Sequence, residues 1–354
     1  MKKYDKEVIQ AALSDEEKVI KDLTKNYVKA LAKVKVKIKM LMAEAEETQL
    51  QSKVYQLHYQ QLIEKQLSEC LQILQEGNIK TVTEYLNKCY ENGFVGNMYS
   101  LNQQGIPLVL PIDQKQVLQV VMKPIEGFTF SERLYDNVSE LKTVVKSELS
   151  RGLASNLSYS AIARNITEYS QIDMNKSIRI ARTEGHRVQK NARMDAMREA
   201  QKRGADVVKQ WDSTLDGRTR PHHAELDGQV RELDEPFEVA GLKADAPGGF
   251  GIAAEDCNCR CCVLQRARWK TEIDETKYVG RFENMTDEQL LPIAMRAHIT
   301  VDELRKTTSG DDIIPMRAQN FEDFKKKYDK IWHYEGSELQ KEAEARIASH
   351  RKKK

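Results

Sequence analysis

Two short stretches of the chain hold side chains whose types and spacing suit metal binding or acid–base chemistry. One has two adjacent histidines, and the other has four cysteines within six positions. Thiolates with a nearby imidazole are suitable ligands for zinc. Alternate residues of a β-strand point to one face, so three of the cysteines are expected to share one side of a strand. These side chains are His222, His223, Cys257, Cys259 and Cys261, with Cys262 on the opposite side.

Placing His223 beside the cysteines requires the chain to fold back. Asp216-Gly217 and Asp227-Gly228 are strong turn signals, and His223 follows the first of them closely. A metal held between this hairpin and the cysteine strand would stabilise a small β-unit that has little core of its own. The competing interpretation, which the residues favour slightly, is that the cysteines are small apolar fillers of a core. That core would contain Trp211, Leu226, Phe237 and Val263.

Catalysis is a weaker interpretation of the same residues. Nothing in the sequence matches a phosphate-binding loop, a nucleophile elbow or a His-Glu-x-x-His helix. A nuclease of the small ββα-metal kind is the enzyme alternative, because paired histidines near a hairpin and a basic helix would suit it. Arg218 and Arg220 are expected to tie the hairpin to carboxylates through bidentate contacts.

The elements that must position these residues are mainly helical. Residues 1–92 have long helical patterns, with no proline before Pro107. Residues 93–130 form a connecting segment, where glycines beginning with Gly93 and Gly96 are expected to break any long helix. Residues 131–268 combine helices over 131–204 with a β-rich unit over 205–268. A charged helical region with a basic tail follows over 280–354. The sequence therefore predicts a mainly α protein with a small β-rich unit, an α+β fold.

Within residues 131–204 the pattern predicts three helices. The first runs over 131–150, and Ser158 or Ser160 caps a short second one. The third runs from about Met174 to Arg203 and ends at Gly204. In the β-rich unit, strands are expected near residues 207–211, 229–232, 237–239 and 259–265.

Basic side chains recur at helical spacing on the third helix and cluster again at the end of the chain. Both features are most simply solvated surfaces, and the tail is expected to be disordered. DNA phosphates are the alternative partner. The candidate phosphate contacts are Arg179, Arg182, Lys190, Arg193, Arg351, Lys352, Lys353 and Lys354.

Composition excludes several classes of protein. The 354 residues include 56 basic and 54 acidic side chains, a net charge of +2 that hides local charge blocks. No run of eighteen apolar residues occurs, so no transmembrane anchor is expected. The charged N-terminal sequence does not resemble a signal peptide. Six cysteines, four of them clustered, favour metal binding or packing over a disulfide framework in an intracellular chain.

The order of four separated motifs resembles the phage head morphogenesis family, typified by protein F of phage Mu and the minor head proteins of tailed phages of Gram-positive hosts. The resemblance covers about residues 131–265. The motifs are Arg182-Thr-Glu, Trp211-x-Ser, Asp216-x-Arg-Thr-Arg-x-x-His-x-x-Leu-Asp-Gly and Asn258-Cys-Arg-Cys. The signature residues are Trp211, Asp216, Arg218, Arg220, Asp227 and Gly228.

The resemblance implies a minor structural protein of a tailed-phage head. Such a protein is associated with the portal vertex and acts in head morphogenesis, or in DNA packaging and ejection. Its implied partners are portal and head proteins and packaged double-stranded DNA, with no small-molecule substrate. Its implied location is the virion, and the host cytoplasm during assembly. It would not be an enzyme; the alternative is a metal-dependent nuclease acting on phage or host DNA.

The resemblance also encourages the interpretation, drawn above from the residues, that the chain binds one structural zinc as its cofactor. Some family members carry a cysteine pair where this chain has Arg220 and His223, so a four-cysteine site is excluded here. His223 would join Cys259 and Cys261. The fourth ligand would be Cys257, His222 or Asp216.

Overall fold

The computed structural model describes residues 1–47, 53–268 apart from positions 107, 126 and 156, and residues 300–301, 318–332 and 336–353. Its helices are α1 (Lys3–Glu47), α2 (Lys53–Asn102), α3 (Gln114–Val121), α4 (Phe130–Ala154), α5 (Tyr159–Lys202), α6 (Pro221–Leu226), α7 (Ala253–Asp256), α8 (Phe321–Ile331) and α9 (Ser337–Lys353). Its strands are β1 (Val207–Asp212), β2 (Val230–Arg231), β3 (Phe237–Val239), β4 (Leu242–Ala244) and β5 (Cys262–Ala267). The predicted fold class, mainly α with a small β-rich unit, is confirmed.

Membrane-spanning helices are not found in the part of the chain that the structure describes, since no helix there is both long and apolar enough. Residues 280–299 and 302–317 of the predicted C-terminal region lie outside this part. The basic end of the chain differs from the disordered tail expected from its composition, because α9 continues to Lys353.

Helix α2 passes through the glycines that were expected to end it. Gly93 and Gly96 both lie inside the helix, which continues to Asn102. A Cβ atom on Gly93 would lie 2.6 Å from the carbonyl oxygen of Gln189, and one on Gly96 would collide with Val8. These glycines therefore allow close packing and do not mark a chain break.

Helix α5 replaces the two helices expected after residue 158. Residues 159–184 contain neither glycine nor proline, so nothing interrupts α5 where a break was expected before Met174. Ser158 begins it, since its Oγ accepts a hydrogen bond of 3.3 Å from the backbone N–H of Ala161. Gly204 ends it in the left-handed conformation, with φ at 88°, as predicted.

The described chain divides into two compact units, each assembled from distant segments. One unit contains residues 1–15, 86–121 and 183–338, and the other contains residues 16–85, 122–182 and 339–354. The composition of the chain does not indicate units that are assembled from distant segments. The division into consecutive regions that we made from the sequence stays a prediction.

The unit with residues 16–85 is helical. Its core is formed by the apolar faces of α1, α2, α4 and α5. An apolar stripe on α4 is buried throughout, and it consists of Leu134, Val138, Leu141, Val145 and Leu149. This burial follows from apolar residues recurring every three or four positions along one face.

A buried polar network lies in the same unit. The hydroxyl of Tyr27 donates a 2.6 Å hydrogen bond to the carboxylate of Asp173. Asn137 donates to the backbone carbonyl of Asp173 at 2.9 Å and to Ser177 Oγ at 2.8 Å. Burial raises the pKa of Asp173 to about 7, against the smaller effect of the Tyr27 hydrogen bond. Near neutral pH this carboxyl group is therefore partly protonated.

The other unit contains a three-stranded antiparallel sheet with strand order β2-β1-β5. In its register Trp211 lies opposite Val263, and Asp212 lies opposite Cys262. Strands β3 and β4 form a separate two-stranded sheet. The last strand begins at Cys262, later than the expected start at Cys259, so the Cys-x-Cys motif lies in the segment leading into β5.

The β-rich part of this unit has a core that includes two of the cysteines. Cys259 and Cys261 are buried together with Trp211, Leu226 and Phe237, three of the four core residues expected from the sequence. The fourth, Val263, belongs to a neighbouring cluster. The members of that cluster include Leu101, Leu108, Met194, Met197, Val207 and Val263.

Candidate metal centre

The loop after β1 is held by a buried serine. Ser213 Oγ accepts a 2.9 Å hydrogen bond from the indole N–H of Trp211 and donates one of 2.6 Å to the backbone carbonyl of His223. The backbone N–H of Ser213 donates to the carboxylate of Asp227 at 2.7 Å. The Trp-x-Ser and Leu-Asp-Gly motifs therefore close around one loop, with Gly228 in the left-handed conformation at φ 77°.

His223 lies on the short helix α6 and not directly after a hairpin as the sequence suggested. Pro221 occupies the first turn, where its missing N–H and fixed φ favour helix initiation. The imidazole stands edge-on to Trp211, with ring centroids 5.6 Å apart, and is covered by Phe250 at 5.8 Å. This packing gives the ring one orientation in the core.

Three of the four predicted metal ligands meet at this ring. The Nδ1 atom of His223 lies 3.2 Å from Cys261 Sγ and 3.7 Å from Cys259 Sγ. All three donor atoms lie within 4.8 Å of one another. The three residues are buried, with exposed fractions of 2 to 3%. We call His223, Cys259 and Cys261 the histidine–cysteine cluster.

Two charged side chains flank the cluster. Lys190 Nζ donates to Cys259 Sγ at 3.7 Å, and Glu255 Oε2 lies 3.0 Å from His223 Nε2. The second contact is short, although neither atom makes a well-aligned hydrogen bond. The hydrogen bond from Cys261 lowers the pKa of the Cys259 thiol, with Lys190 acting in the same direction. The hydrogen bond between the two sulfurs, together with burial, raises the pKa of the Cys261 thiol.

The remaining ligand candidates lie outside the cluster. Cys257 is separated from Cys259 by Asn258, whose φ of 55° turns the chain away from an extended path. The expectation that Cys257, Cys259 and Cys261 share a strand face is therefore wrong. His222 faces Glu255 Oε1 at 3.0 Å. Asp216 pairs with Arg260, and this contact lowers its carboxyl pKa.

The motif arginines make contacts other than those expected. The bidentate partner of Asp216 is Arg260, with N–O distances of 2.5 and 2.6 Å, and not Arg218. Arg218 donates its backbone N–H to Asp216 at 2.9 Å. Arg220 donates to the backbone carbonyl of Cys257 at 2.7 Å, which ties the start of α6 to the cysteine segment.

Three residues of this site were missed by sequence reasoning. Ser213 had a signal, since it belongs to the Trp-x-Ser motif. Glu255 and Lys190 had none, because an acid on a four-residue helix and a lysine in a basic stripe are common on surfaces. Only folding brings Lys190 from α5, and Glu255 from α7, to the cluster.

The predicted phosphate contacts are only partly on the surface. Arg179 and Arg182 are exposed, and Arg182 pairs with Glu16 at 3.0 Å. Lys190 and Arg193 are buried, with exposed fractions of 7% and 4%. Arg193 donates to the Val263 carbonyl at 3.0 Å, so its charge is used inside the unit. Burial removes these two residues from any surface that a phosphate could contact.

Among the predicted phosphate contacts near the end of the chain, residues 351–353 are exposed on the last turn of α9. The Arg351 guanidinium lies 5.0 Å from the centroid of the Tyr135 ring. Lys354 is outside the described residues.

Comparison with known proteins places this region in a family. Residues 143–264 match the model for "Phage Mu protein F like protein", a range that includes the whole histidine–cysteine cluster. The chain therefore carries a Phage Mu protein F like domain, and the resemblance inferred from the motifs is confirmed.

Two curated relatives extend beyond that domain. Minor head protein GP7 of Bacillus phage SPP1 is 34% identical over 193 residues, which cover 52% of this chain and 62% of GP7. NAD(+)--arginine ADP-ribosyltransferase EFV of Enterococcus faecalis is 38% identical over 188 residues, covering 52% of this chain and 39% of EFV. The matches thus span less than two thirds of either relative. Comparison with solved structures finds no match.

Proposed function

We propose that the protein is a minor structural protein of a tailed-phage head and is located in the virion. The observation that carries this proposal is the Phage Mu protein F like domain over residues 143–264, together with 34% identity to a protein named as a minor head protein. The finer proposal is that it lies at the portal vertex, contacts portal and head proteins, and acts in head morphogenesis or DNA packaging and ejection. During assembly it would occupy the host cytoplasm.

The contacts of the motif residues support a structural role. Ser213 links Trp211 to His223, Arg260 pairs with Asp216, and Arg220 bonds the Cys257 carbonyl. These polar groups hold one part of the domain to another. A site built for catalysis would instead direct such groups toward a space that a substrate can enter.

The same geometry weighs against the nuclease alternative. A metal that cleaves DNA must be accessible to a phosphate of the substrate, and the hard cation magnesium, common in phosphoryl-transfer sites, takes oxygen ligands. The cluster has two sulfur donors, and its three residues are at most 3% exposed. We therefore propose that the chain is not an enzyme, and the transferase activity in the name of EFV is not extended to it. Incubation with plasmid DNA and divalent metals tests this directly, and cleavage abolished by His223→Ala would reverse the assignment.

The head role is tested by deleting the gene from the phage genome and supplying it in trans. We expect wild-type protein to restore infectious particles and to appear in purified heads by mass spectrometry. Normal infectivity after deletion, with the protein absent from wild-type virions, would refute the proposal. A second complementation experiment supplies the Trp211→Ala variant in trans. This variant should fail to restore infectious particles, because the substitution should unfold the β-rich core.

Contact with packaged double-stranded DNA is proposed through the basic side chains that are exposed. These are Arg179, Arg182, Arg351, Lys352 and Lys353. Binding should be independent of sequence and should weaken as salt rises, with a log–log slope of about −0.9 per phosphate contacted.

The test compares Arg179→Glu/Arg182→Glu with Arg198→Glu, a control at another exposed arginine of α5. We expect only the double variant to reduce the salt slope. The double variant can also be made with neutral residues at positions 351–353. A salt slope equal to that of the wild-type protein in this variant would exclude these contacts.

A further inference from the structure

We infer that the histidine–cysteine cluster binds one zinc-like divalent ion, which joins α6 to the segment preceding β5. With Zn–S of about 2.3 Å and Zn–N of about 2.0–2.1 Å, tetrahedral angles place the nitrogen and a sulfur about 3.6 Å apart. The observed distances from His223 Nδ1 to Cys261 Sγ and Cys259 Sγ are 3.2 and 3.7 Å. The donors therefore stand close to the spacing that coordination requires.

The histidine is oriented as metal-bound histidines are. Its Nδ1 faces both sulfurs, and its Nε2 faces Glu255 Oε2 at 3.0 Å. A carboxylate on the far ring nitrogen favours the tautomer with hydrogen on Nε2, which leaves the Nδ1 lone pair for the ion. His223 Nε2 and Glu255 Oε2 are both buried, and neither makes a well-aligned hydrogen bond. The electrostatic attraction between these two neighbouring atoms therefore compensates for their burial.

Charge is balanced when the ion is present. Two thiolates neutralise a divalent cation, and the Lys190 ammonium offsets the Glu255 carboxylate. Lys190 also donates to the Cys259 sulfur at 3.7 Å, a contact that stabilises a thiolate. Two thiolates side by side in this buried space would otherwise repel each other strongly.

The donor set selects the kind of metal and limits the ligand number. Two thiolates and an imidazole suit zinc and similar borderline metals, while magnesium and calcium require oxygen ligands. Within the described residues, no further histidine, cysteine, aspartate or glutamate joins the three donor atoms. The described residues therefore supply three protein ligands, and the Phe250 ring packs against the His223 ring at 5.8 Å.

The first experiment uses the full-length wild-type chain, purified under reducing conditions without chelator, and measures its metal by elemental analysis. We expect about one equivalent of zinc per chain. Replacement by cobalt should give the ligand-field bands of tetrahedral Co²⁺ and sulfur-to-metal charge-transfer absorption. Less than about one-tenth of an equivalent, with no charge-transfer band on adding cobalt, would overturn the inference and leave the cysteines as packing residues.

Matched variants identify the ligands. Cys259→Ser, Cys261→Ser and His223→Ala should lose the metal, while Cys257→Ser should keep it. Equal metal loss from Cys257→Ser and Cys259→Ser would refute the assigned ligand set.

Wild-type protein also provides a test that does not depend on variants folding. Removal of the metal by chelator should lower the melting temperature, and zinc, but not magnesium, should restore it. An unchanged melting temperature after complete metal removal would exclude a structural role. None of these outcomes depends on whether the protein acts in a phage head.

Discussion

Replacing Ser213 by alanine is expected to destabilise the domain more than its size suggests. The hydroxyl is the hydrogen-bond acceptor for the indole N–H of Trp211, which is fully buried, and the donor to the backbone carbonyl of His223. Its Oγ also lies 3.4 Å from Cys261 Sγ. One methyl-sized side chain cannot replace any of these interactions.

The magnitude follows from the groups left without partners. An unsatisfied buried donor costs about 1–3 kcal/mol, and loss of the second hydrogen bond adds about 1 kcal/mol. Ser213→Ala should therefore reduce the free energy of unfolding by about 2–4 kcal/mol. Urea denaturation followed by circular dichroism measures this as a lower midpoint with an unchanged slope.

The control is Thr143→Ser on α4, which keeps its hydroxyl, removes one methyl group at an exposed site and should change stability by less than about 0.5 kcal/mol. Because Ser213 is not a metal ligand in our assignment, folded Ser213→Ala protein should retain its zinc. A stability change below about 0.5 kcal/mol for Ser213→Ala would refute the view that this hydroxyl organises the site.

Two other predictions concern single positions. The folded-state pKa of Asp173, about 7, lies above its unfolded value of about 3.9, so the stability that this one group contributes should be fully present below about pH 4 and should be lost, by up to about 4 kcal/mol, as pH rises through 7. Asp173→Asn should flatten this dependence in urea titrations at several pH values; a variant less stable than wild type at pH 8 would contradict the reasoning. Gly93→Ala should lose about 1–3 kcal/mol because its Cβ meets the Gln189 carbonyl, whereas Gly77→Ala in the same helix meets only Asn26 at 3.5 Å and should gain up to about 1 kcal/mol. Thermal melts that rank these two variants in the opposite order would show that α2 is free to move.

Several local features of the fold could be predicted because they depend on neighbouring residues. The apolar stripe of α4, the end of α5 at Gly204 and the strand character of residues 207–211 follow from periodicity and turn chemistry. The Phage Mu protein F like domain was recognisable for the same reason, since its motifs are short patterns in a set order.

Glycine shows where local reasoning ends. A glycine at position 93 is compatible with two structures: it could break a helix, or it could lie inside a helix and allow another element to approach closely. Only the position of the Gln189 carbonyl, contributed by α5, distinguishes the two. Helix propensity is a weak preference that such tertiary packing overrides.

For the histidine–cysteine cluster too, the sequence determined some features and the tertiary structure determined others. The sequence by itself determined that His223, Cys259 and Cys261 were candidate partners, because their types suit one ion and their motifs flank turns. Tertiary structure decided that Cys257 is excluded, since the left-handed Asn258 redirects the chain, and that Lys190 belongs to the cluster and not to a surface. Both outcomes depend on three-dimensional distances between segments far apart in the chain, and no local pattern of residues encodes those distances.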